Sequence, residues 1–282
     1  MEVSSPASLA AALAEMAAEP ATVPLAGGTD LMVAINFGRE RPQRVMALRR
    51  VEELRGLGAG ERVRCGAGVT YARLLERVQD PALLQAARTV GSPQIRNAGT
   101  LGGNLATCSP AGDTLPVLAA LDADIVLASA AGGERRLKLA DWMQGPKKSA
   151  RRGEELVVGA EWDAAGPAQA FLKAGTRNAM VIAVANLAMV VDRARRRVGV
   201  ALGSVGPTIM RAGAAEEFAR GLFEEAGWER PHRPDAAAAE RFAELCAQAA
   251  SPIDDVRGSA AYRRHIVGVM ARRALARTAA AN

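Results

Sequence analysis

Short apolar runs and helical segments alternate through the first part of the chain. Apolar runs at residues 44–47 and 62–65 are separated by glycines and predict short strands. Residues 71–78 and 82–90 instead place apolar side chains at helical spacing, and a further helix is predicted over residues 114–121. The first part is therefore predicted to be mixed α and β. At its start, Ser5 and Pro6 predict a capped helix that extends to Ala18.

The second part has a different order of elements. Beyond a basic loop over residues 145–153, apolar runs predict strands over residues 156–162, 169–173, 183–191 and 197–202. The last two are joined by a charged turn, which indicates an antiparallel sheet. Helical periodicity then covers residues 212–226, 235–249 and 259–278. We expect two domains, residues 1–165 and a smaller α+β domain over residues 166–282 whose antiparallel sheet is covered by helices.

Composition supports an ordinary globular protein with enough apolar material for a large core. Of 282 residues, 49% are hydrophobic and 23% are charged. The longest apolar stretch, residues 179–191, is interrupted by Asn186 and is shorter than the roughly 20 residues that a membrane span requires. The N-terminus has no basic region before its alanine-rich stretch and so lacks the layout of a secretory signal. We therefore expect no membrane span and a cytoplasmic location.

The distribution of basic residues, cysteines and histidines argues against a nucleic-acid-binding protein and against a metal-binding or disulfide-rich one. The net charge is +6, but the basic residues are dispersed and only 4% of residues are aromatic, so we expect no nucleic-acid partner. The three cysteines and two histidines lie far apart, without a C-x-x-C pair. We expect neither a disulfide framework nor a metal site, and any metal in the system should belong to another chain.

Two glycine loops carry the candidate chemistry. A dinucleotide's diphosphate is bound by backbone N–H groups at close range, which favours glycine because it has no Cβ and tolerates positive φ. Threonine hydroxyls and an asparagine amide add hydrogen-bonding groups. The two loops are Leu25-Ala26-Gly27-Gly28-Thr29-Asp30-Leu31 and Thr100-Leu101-Gly102-Gly103-Asn104. Neither matches G-x-G-x-x-G or G-x-x-x-x-G-K-[ST], so the sequence disfavours the Rossmann and P-loop folds.

Asp113 follows the second loop and is a candidate to accept a hydrogen bond from a ribose hydroxyl. Phosphates would repel its carboxylate, which places Asp113 nearer the adenosine end of the nucleotide. Asp30 precedes a predicted short helix over residues 31–37 and is a plausible N-cap.

Both loops and several later segments resemble the FAD-binding medium subunits of the xanthine dehydrogenase and carbon monoxide dehydrogenase family. The second match is long and specific, running from Ile95 through Asn104 and Thr107 to Asp113. The resemblance continues in Phe171-Leu172-Lys173-Ala174-Gly175-Thr176-Arg177, in Gly203-Ser204-Val205-Gly206-Pro207-Thr208, and in the segment from Asp254 to His265. The implied fold is a two-part FAD-binding domain of the vanillyl-alcohol-oxidase (PCMH) type followed by a smaller α+β domain.

The resemblance also implies the site residues. Residues 25–31 and 100–104 would bind the FAD diphosphate, while Thr107, Asp113, Val157 and Lys173 match positions near the flavin or the adenosine. Lys173 has an alternative as an ordinary lysine at the end of a strand. Cys108 departs from the family, in which a small residue is usual; a flavin thioether is conceivable there, but an inert packed thiol is favoured, so FAD should bind non-covalently.

The implied function is electron transfer within a molybdenum hydroxylase. Electrons would pass from the [2Fe–2S] clusters of a small partner subunit through FAD to NAD⁺, oxygen or a quinone-like acceptor. The substrate, with N-heteroaromatics weakly favoured, would be hydroxylated on a large molybdopterin subunit, and the heterotrimers would pair into dimers. No catalytic or metal-ligating residue is assigned to this chain. A self-sufficient FAD-dependent oxidase and a non-redox nucleotide-binding scaffold remain as alternatives.

Overall fold

The apolar runs of the N-terminal part form two separate sheets in the computed structural model, which describes residues 1–178 and 180–281. The first is a parallel sheet in the order β1-β3-β2, made of β1 (Glu2–Ser4), β2 (Val23–Leu25) and β3 (Arg44–Ala47). Helices α1 (Leu9–Ala18) and α2 (Leu31–Asn36) connect its strands.

The predicted start of the first helix was wrong. Ser8, rather than Ser5, caps α1, and its Oγ accepts a hydrogen bond from the Ala11 N–H at 3.2 Å. Residues 2–4 are extended because they pair with β3, which is a long-range contact. The helix therefore begins only at Leu9, and Pro6 lies before it.

The second N-terminal sheet is antiparallel, in the order β4-β9-β5-β6. Its strands are β4 (Arg62–Gly66), β5 (Asp124–Ser129), β6 (Gly133–Lys138) and β9 (Leu156–Asp163). A small hairpin, β7 (Met143–Gly145) and β8 (Lys148–Ser149), forms at the basic loop. The helices between these strands are α3 (Tyr71–Arg77), α4 (Pro81–Thr89), α5 (Pro93–Ala98), α6 (Leu101–Thr107), α7 (Thr114–Ala120) and α8 (Leu139–Trp142).

The C-terminal part is an antiparallel sheet covered by three helices, which confirms the fold predicted for it. The strand order is β10-β11-β12-β13, and the pairing of residues 185–192 with 197–203 is the predicted hairpin. The strands are β10 (Gln169–Ala174), β11 (Ala185–Asp192), β12 (Arg197–Gly203) and β13 (Met210–Arg211). The helices are α9 (Gly213–Ala226), α10 (Ala236–Ala249) and α11 (Ala260–Ala280).

Strand β11 is buried on both faces and lies between two hydrophobic cores. Ala188 and Val190 belong to the core of the N-terminal part, whereas Leu187 and Met189 belong to the core beneath helices α9–α11. This alternation follows from the two-residue period of a strand. Helix α7 packs on the same sheet, where a Cβ on Gly199 would overlap the carbonyl oxygen of Ala120. The sheet therefore joins the two parts through one of its faces.

The described residues contain neither a membrane-spanning helix nor a metal-binding group of side chains. Throughout residues 1–178 and 180–281, no helix is long and apolar enough to cross a membrane. The same residues contain no group of three or more His, Cys, Asp or Glu side chains placed to hold a metal ion.

Candidate functional site

The first glycine loop contacts Ala98 and Gly99, the two residues that immediately precede the second glycine loop. A Cβ on Gly27 would overlap the carbonyl oxygen of Ala98, and it would lie 2.9 Å from the Cα of Gly99. The Thr29 hydroxyl oxygen lies 3.3 Å from the position a Cβ would take on Gly99. The close approach explains why Gly27 must lack a side chain.

Residues 25–31, which we call the first loop, present unpaired backbone donors. Gly28 has a φ of +70°, a left-handed conformation that favours glycine. Among the described residues, no acceptor receives a hydrogen bond from the N–H groups of Gly27, Gly28, Thr29 or Asp30. Consecutive N–H groups of this kind form an anion-binding concavity.

The ends of the first loop are held by regular structure. Leu25 is the last residue of β2, Ala26 leaves the sheet, and Leu31 begins α2. Asp30 occupies the N-cap position of α2, as predicted, but its exposed carboxylate makes no capping hydrogen bond.

Residues 100–104, the second loop, form the first turn of α6. Thr100 is the N-cap, and its Oγ1 accepts a hydrogen bond from the Gly103 N–H at 3.0 Å, which leaves the hydroxyl proton free to donate. Leu101 is buried, and its N–H donates to the Val69 carbonyl at 3.0 Å. These contacts fix the direction of α6.

The two glycines of this turn have different surroundings. A Cβ on Gly102 would lie 2.6 Å from the carbonyl oxygen of Ala67, so this glycine is packed against backbone. A Cβ on Gly103 would meet only the Thr100 Oγ1, at 3.1 Å, and otherwise faces open space. Gly103 therefore leaves a surface that a ligand can approach, whereas Gly102 serves packing.

Three more of the predicted residues lie along or behind α6. The Asn104 Oδ1 accepts from the Thr114 hydroxyl at 2.7 Å, and the Thr107 hydroxyl donates to the Gly103 carbonyl at 2.9 Å. Val157 is buried on β9, whose next residue, Val158, accepts the Ala67 N–H at 3.0 Å. Helix α6 is thus tied to both the sheet and α7.

Asp113 and Lys173 form a buried ion pair beside α7. The Lys173 Nζ lies 2.5 Å from the Asp113 Oδ2, and the two side chains are only 9% and 7% exposed. The Thr89 Oγ1 lies 3.1 Å from the same carboxylate oxygen and 2.8 Å from the Ala86 carbonyl oxygen, so its one proton is shared between them, and the Asn186 Nδ2 donates to Oδ1 at 3.2 Å. Burial raises the pKa of the Asp113 carboxyl above its ordinary value, although the hydrogen bonds and the ammonium charge act in the opposite direction.

Sequence reasoning missed Thr89 and Asn186. Thr89 had no signal, because it is one polar residue at the end of an amphipathic helix. Asn186 did have one, since it is the polar residue that interrupts the longest apolar stretch. A polar side chain in the middle of a fully buried strand needs hydrogen-bond partners, and Asp113 is the partner found here.

Cys108 is a fully buried thiol at the end of α6. Its Sγ donates to the Leu105 carbonyl at 3.1 Å, and burial raises its pKa to about 12. The thiol is therefore protonated at neutral pH, and the reactive thiolate is scarce.

This arrangement fits a dinucleotide such as FAD. The free N–H groups of residues 27–30 and the open face of Gly103 suit a diphosphate, while Asn104 and Thr107 place polar groups farther along α6 and Lys173 lies on β10 beside Asp113. The surface formed by residues 25–31 and 100–104, which we call the cradle, is shaped by close backbone contact rather than by charged side chains, as expected for loops that bind a phosphate.

Comparisons with known proteins show the family to which the chain belongs. Residues 1–161 match the model of the FAD binding domain in molybdopterin dehydrogenase, and residues 170–278 match that of the CO dehydrogenase flavoprotein C-terminal domain. The chain is 30% identical over 279 residues to the nicotine 6-hydroxylase medium subunit of Paenarthrobacter nicotinovorans, covering 96% of this chain and 94% of that one. It is 38% identical over 170 residues to the nicotinate dehydrogenase FAD-subunit of Eubacterium barkeri, covering 57% of each.

A solved structure shares the whole fold. The carbon monoxide dehydrogenase from Hydrogenophaga pseudoflava that lacks the Mo-pyranopterin moiety of its cofactor contains a chain with a TM-score of 0.88 and 27% identity, covering 100% of this chain and 98% of that one. Since the matching FAD-domain model also spans more than half of the sequence, the protein belongs to the family of FAD-binding domains of molybdopterin dehydrogenases.

Proposed function

We propose that this chain is the FAD subunit of a molybdenum-containing hydroxylase and relays electrons from the [2Fe–2S] clusters of a partner subunit to an external acceptor. The observation that carries the proposal is the contact of the first glycine loop with Ala98 and Gly99, at the start of the second, together with the free N–H groups from Gly27 to Asp30 and the open face of Gly103. The family match supplies the identity of the nucleotide.

Each part of the cradle has its own role in this proposal. The backbone of residues 25–31 and 100–104 holds the diphosphate, with the Thr29 and Thr100 hydroxyls as additional donors. Thr107, Asp113, Val157 and Lys173 lie near the flavin or the adenosine. Residues 1–165 form the main FAD-binding domain, and residues 166–282 form the second domain, which contributes Lys173.

The protein's own contribution is binding and orientation. When bound, the isoalloxazine ring of FAD supplies the electron-transfer chemistry. The loop N–H groups fix the diphosphate, and the buried Lys173–Asp113 pair keeps a positive charge at a defined place in the site. No residue of this chain is assigned a role as nucleophile or metal ligand.

The remaining subunits complete the reaction. A large molybdopterin subunit hydroxylates the substrate, a small subunit carries the [2Fe–2S] clusters, and two heterotrimers pair in the cytoplasm. The acceptor is NAD⁺, oxygen or a quinone-like compound. An N-heteroaromatic substrate is favoured because relatives of the chain are named for nicotinate and nicotine, which contain nitrogen heterocycles.

The absorbance spectrum of the purified chain tests the flavin assignment. We expect a yellow protein that binds FAD and is bleached by an artificial reductant under anaerobic conditions. A chain that stays colourless after FAD addition would contradict the proposal and favour the non-redox nucleotide-binding scaffold.

A further inference from the structure

Asn186 has an unusual environment for a polar side chain. It is 0% exposed on β11, at the register position opposite Lys173 on β10. Its Nδ2 donates to the Asp113 Oδ1 at 3.2 Å, whereas its Oδ1 is buried and has no hydrogen-bond partner. A buried acceptor left unsatisfied costs about 1–3 kcal/mol, so the stability of the fold alone does not explain an asparagine here.

Gly203 provides the space that this amide occupies. On β12, Gly203 lies opposite Asn186 in register, and a Cβ there would overlap the Asn186 Oδ1. The reverse orientation of the amide would place its oxygen 3.2 Å from a carboxylate oxygen of Asp113, which is repulsive. The amide is therefore held with its nitrogen toward Asp113 and its oxygen over Gly203.

The other side of the carboxylate determines how the Lys173 ammonium is used. Asp113 Oδ2 accepts from Lys173 and lies 3.1 Å from the Thr89 Oγ1, while the Thr89 carbonyl accepts a second N–H of Lys173 at 3.2 Å. An ammonium has three N–H groups, so one remains without a protein acceptor among the described residues.

We propose that Asn186 is a positioning residue: by fixing the Asp113 carboxylate, it aims the third N–H of Lys173 into the FAD site. The inference rests on the proposed FAD-binding function. Asn186 donates to Oδ1 while Thr89 and Lys173 contact Oδ2, so the amide of Asn186 sets the rotation of the carboxylate about the oxygen that Lys173 holds. Without Asn186 the carboxylate can rotate, and the ammonium that follows it loses its direction.

A double-mutant cycle on FAD affinity tests this role. The dissociation constant for FAD is measured by fluorescence quenching for the wild type, Asn186→Leu, Lys173→Met and the double variant. We expect Asn186→Leu to weaken binding about tenfold in the wild-type background, the scale of a hydrogen bond to a charged group, but less than about twofold when Lys173 is already Met. The apo form of Asn186→Leu should melt within a few degrees of the wild type, because the substitution also removes the unsatisfied oxygen.

Gly203→Ala provides an independent route to the same answer. Its methyl group displaces the Asn186 amide without changing the chemistry of Asn186, Asp113 or Lys173, so the variant should also weaken FAD binding, and this effect should also vanish with Lys173→Met. Thr278→Val removes a buried hydroxyl from the second core and serves as the matched control, with unchanged FAD affinity.

Each outcome of the cycle has a definite meaning. Equal weakening by Asn186→Leu with and without Lys173 would show a purely structural effect and overturn the inference. If Asn186→Leu does not fold, the Gly203→Ala cycle decides in the same way. A wild-type chain that binds no FAD at all would instead overturn the proposed function itself.

Discussion

The Lys173 Nζ lies 2.5 Å from the Asp113 Oδ2, although the two residues belong to different domains. Lys173 is on β10 of the C-terminal sheet, whereas Asp113 directly precedes α7 of the N-terminal part. One end of the candidate site is therefore built by both domains. The second domain thus contributes a side chain to the candidate site, because its Lys173 supplies the counter-charge of the buried Asp113 carboxylate.

Removing one partner of this ion pair should destabilise the protein more than replacing both partners with apolar residues. Asp113→Asn leaves a buried ammonium without its counter-charge and should lower the free energy of unfolding by about 3 kcal/mol. Lys173→Met should cost less, since the pKa of Asp113 is already raised by burial and its carboxyl can take up a proton. The double variant Asp113→Leu/Lys173→Met should be closer to the wild type than Asp113→Asn. Urea unfolding of the apo proteins measures this order, and a double variant less stable than Asp113→Asn would contradict it.

The two glycines of the second loop should respond differently to the same substitution. Gly103→Val adds a side chain to an open surface and should abolish FAD binding while the chain stays folded. Gly102→Val forces a side chain against the Ala67 backbone and should destabilise the fold itself. Circular dichroism and flavin content of the purified variants separate the two effects. A Gly103→Val protein that retains stoichiometric FAD would show that the second loop is misassigned.

FAD should be bound without a covalent link. Cys108 follows the second loop in sequence at the end of α6, yet burial keeps it protonated at neutral pH, with a pKa of about 12. Acid precipitation should release all of the flavin into the supernatant from both the wild type and Cys108→Ala. Yellow colour that stays with the denatured wild type but not with the variant would refute this prediction.

Glu161 should make stability depend on pH. It lies on β9, with its carboxylate 2.9 Å from the Arg136 Nε and 2.7 Å from an Arg64 nitrogen. The hydrogen bond from Arg136 lowers the pKa of the Glu161 carboxyl. A lowered pKa contributes stability above the unfolded value of about 4.3 and loses it as the pH falls further.

The matched test is Glu161→Gln. Because the arginines are partly exposed, this variant should lose about 1–2 kcal/mol at pH 7. The difference from the wild type should shrink as unfolding is measured at successively lower pH, toward pH 3. A loss that is constant between pH 7 and pH 3 would show that charge is not its cause.

Elements determined by a local sequence pattern were predicted from the sequence, whereas elements that form through long-range contacts were not. The antiparallel sheet formed by β10, β11 and β12 was predicted correctly, because its strands are long and apolar and a short charged turn joins β11 to β12. Strand β1 was missed, since three exposed or half-buried residues have no pattern of their own and become a strand only by pairing with β3.

In the candidate site too, local features were predictable from the sequence and long-range contacts were not. The composition of the loops around Gly28 and Gly103 was visible from the sequence, because backbone requirements select glycine locally. The network around Asp113 was not, since Thr89 reaches it through the packing of α4 within the N-terminal part, and Asn186 reaches it only after the two domains pack together. A ribose hydroxyl as the partner of Asp113 stays a prediction, and the structure adds protein groups that contact the same carboxylate.

The central claim, electron transfer without substrate oxidation by this chain, is tested most directly by anaerobic flavin absorbance. The FAD-loaded chain is incubated with purines, pyridines and aldehydes, first alone and then with its molybdopterin and [2Fe–2S] partner subunits. We predict no bleaching by any compound in the isolated chain, and bleaching by one class once both partners are present. Bleaching by any of these compounds in the absence of partners would contradict the account and identify a self-sufficient FAD oxidase.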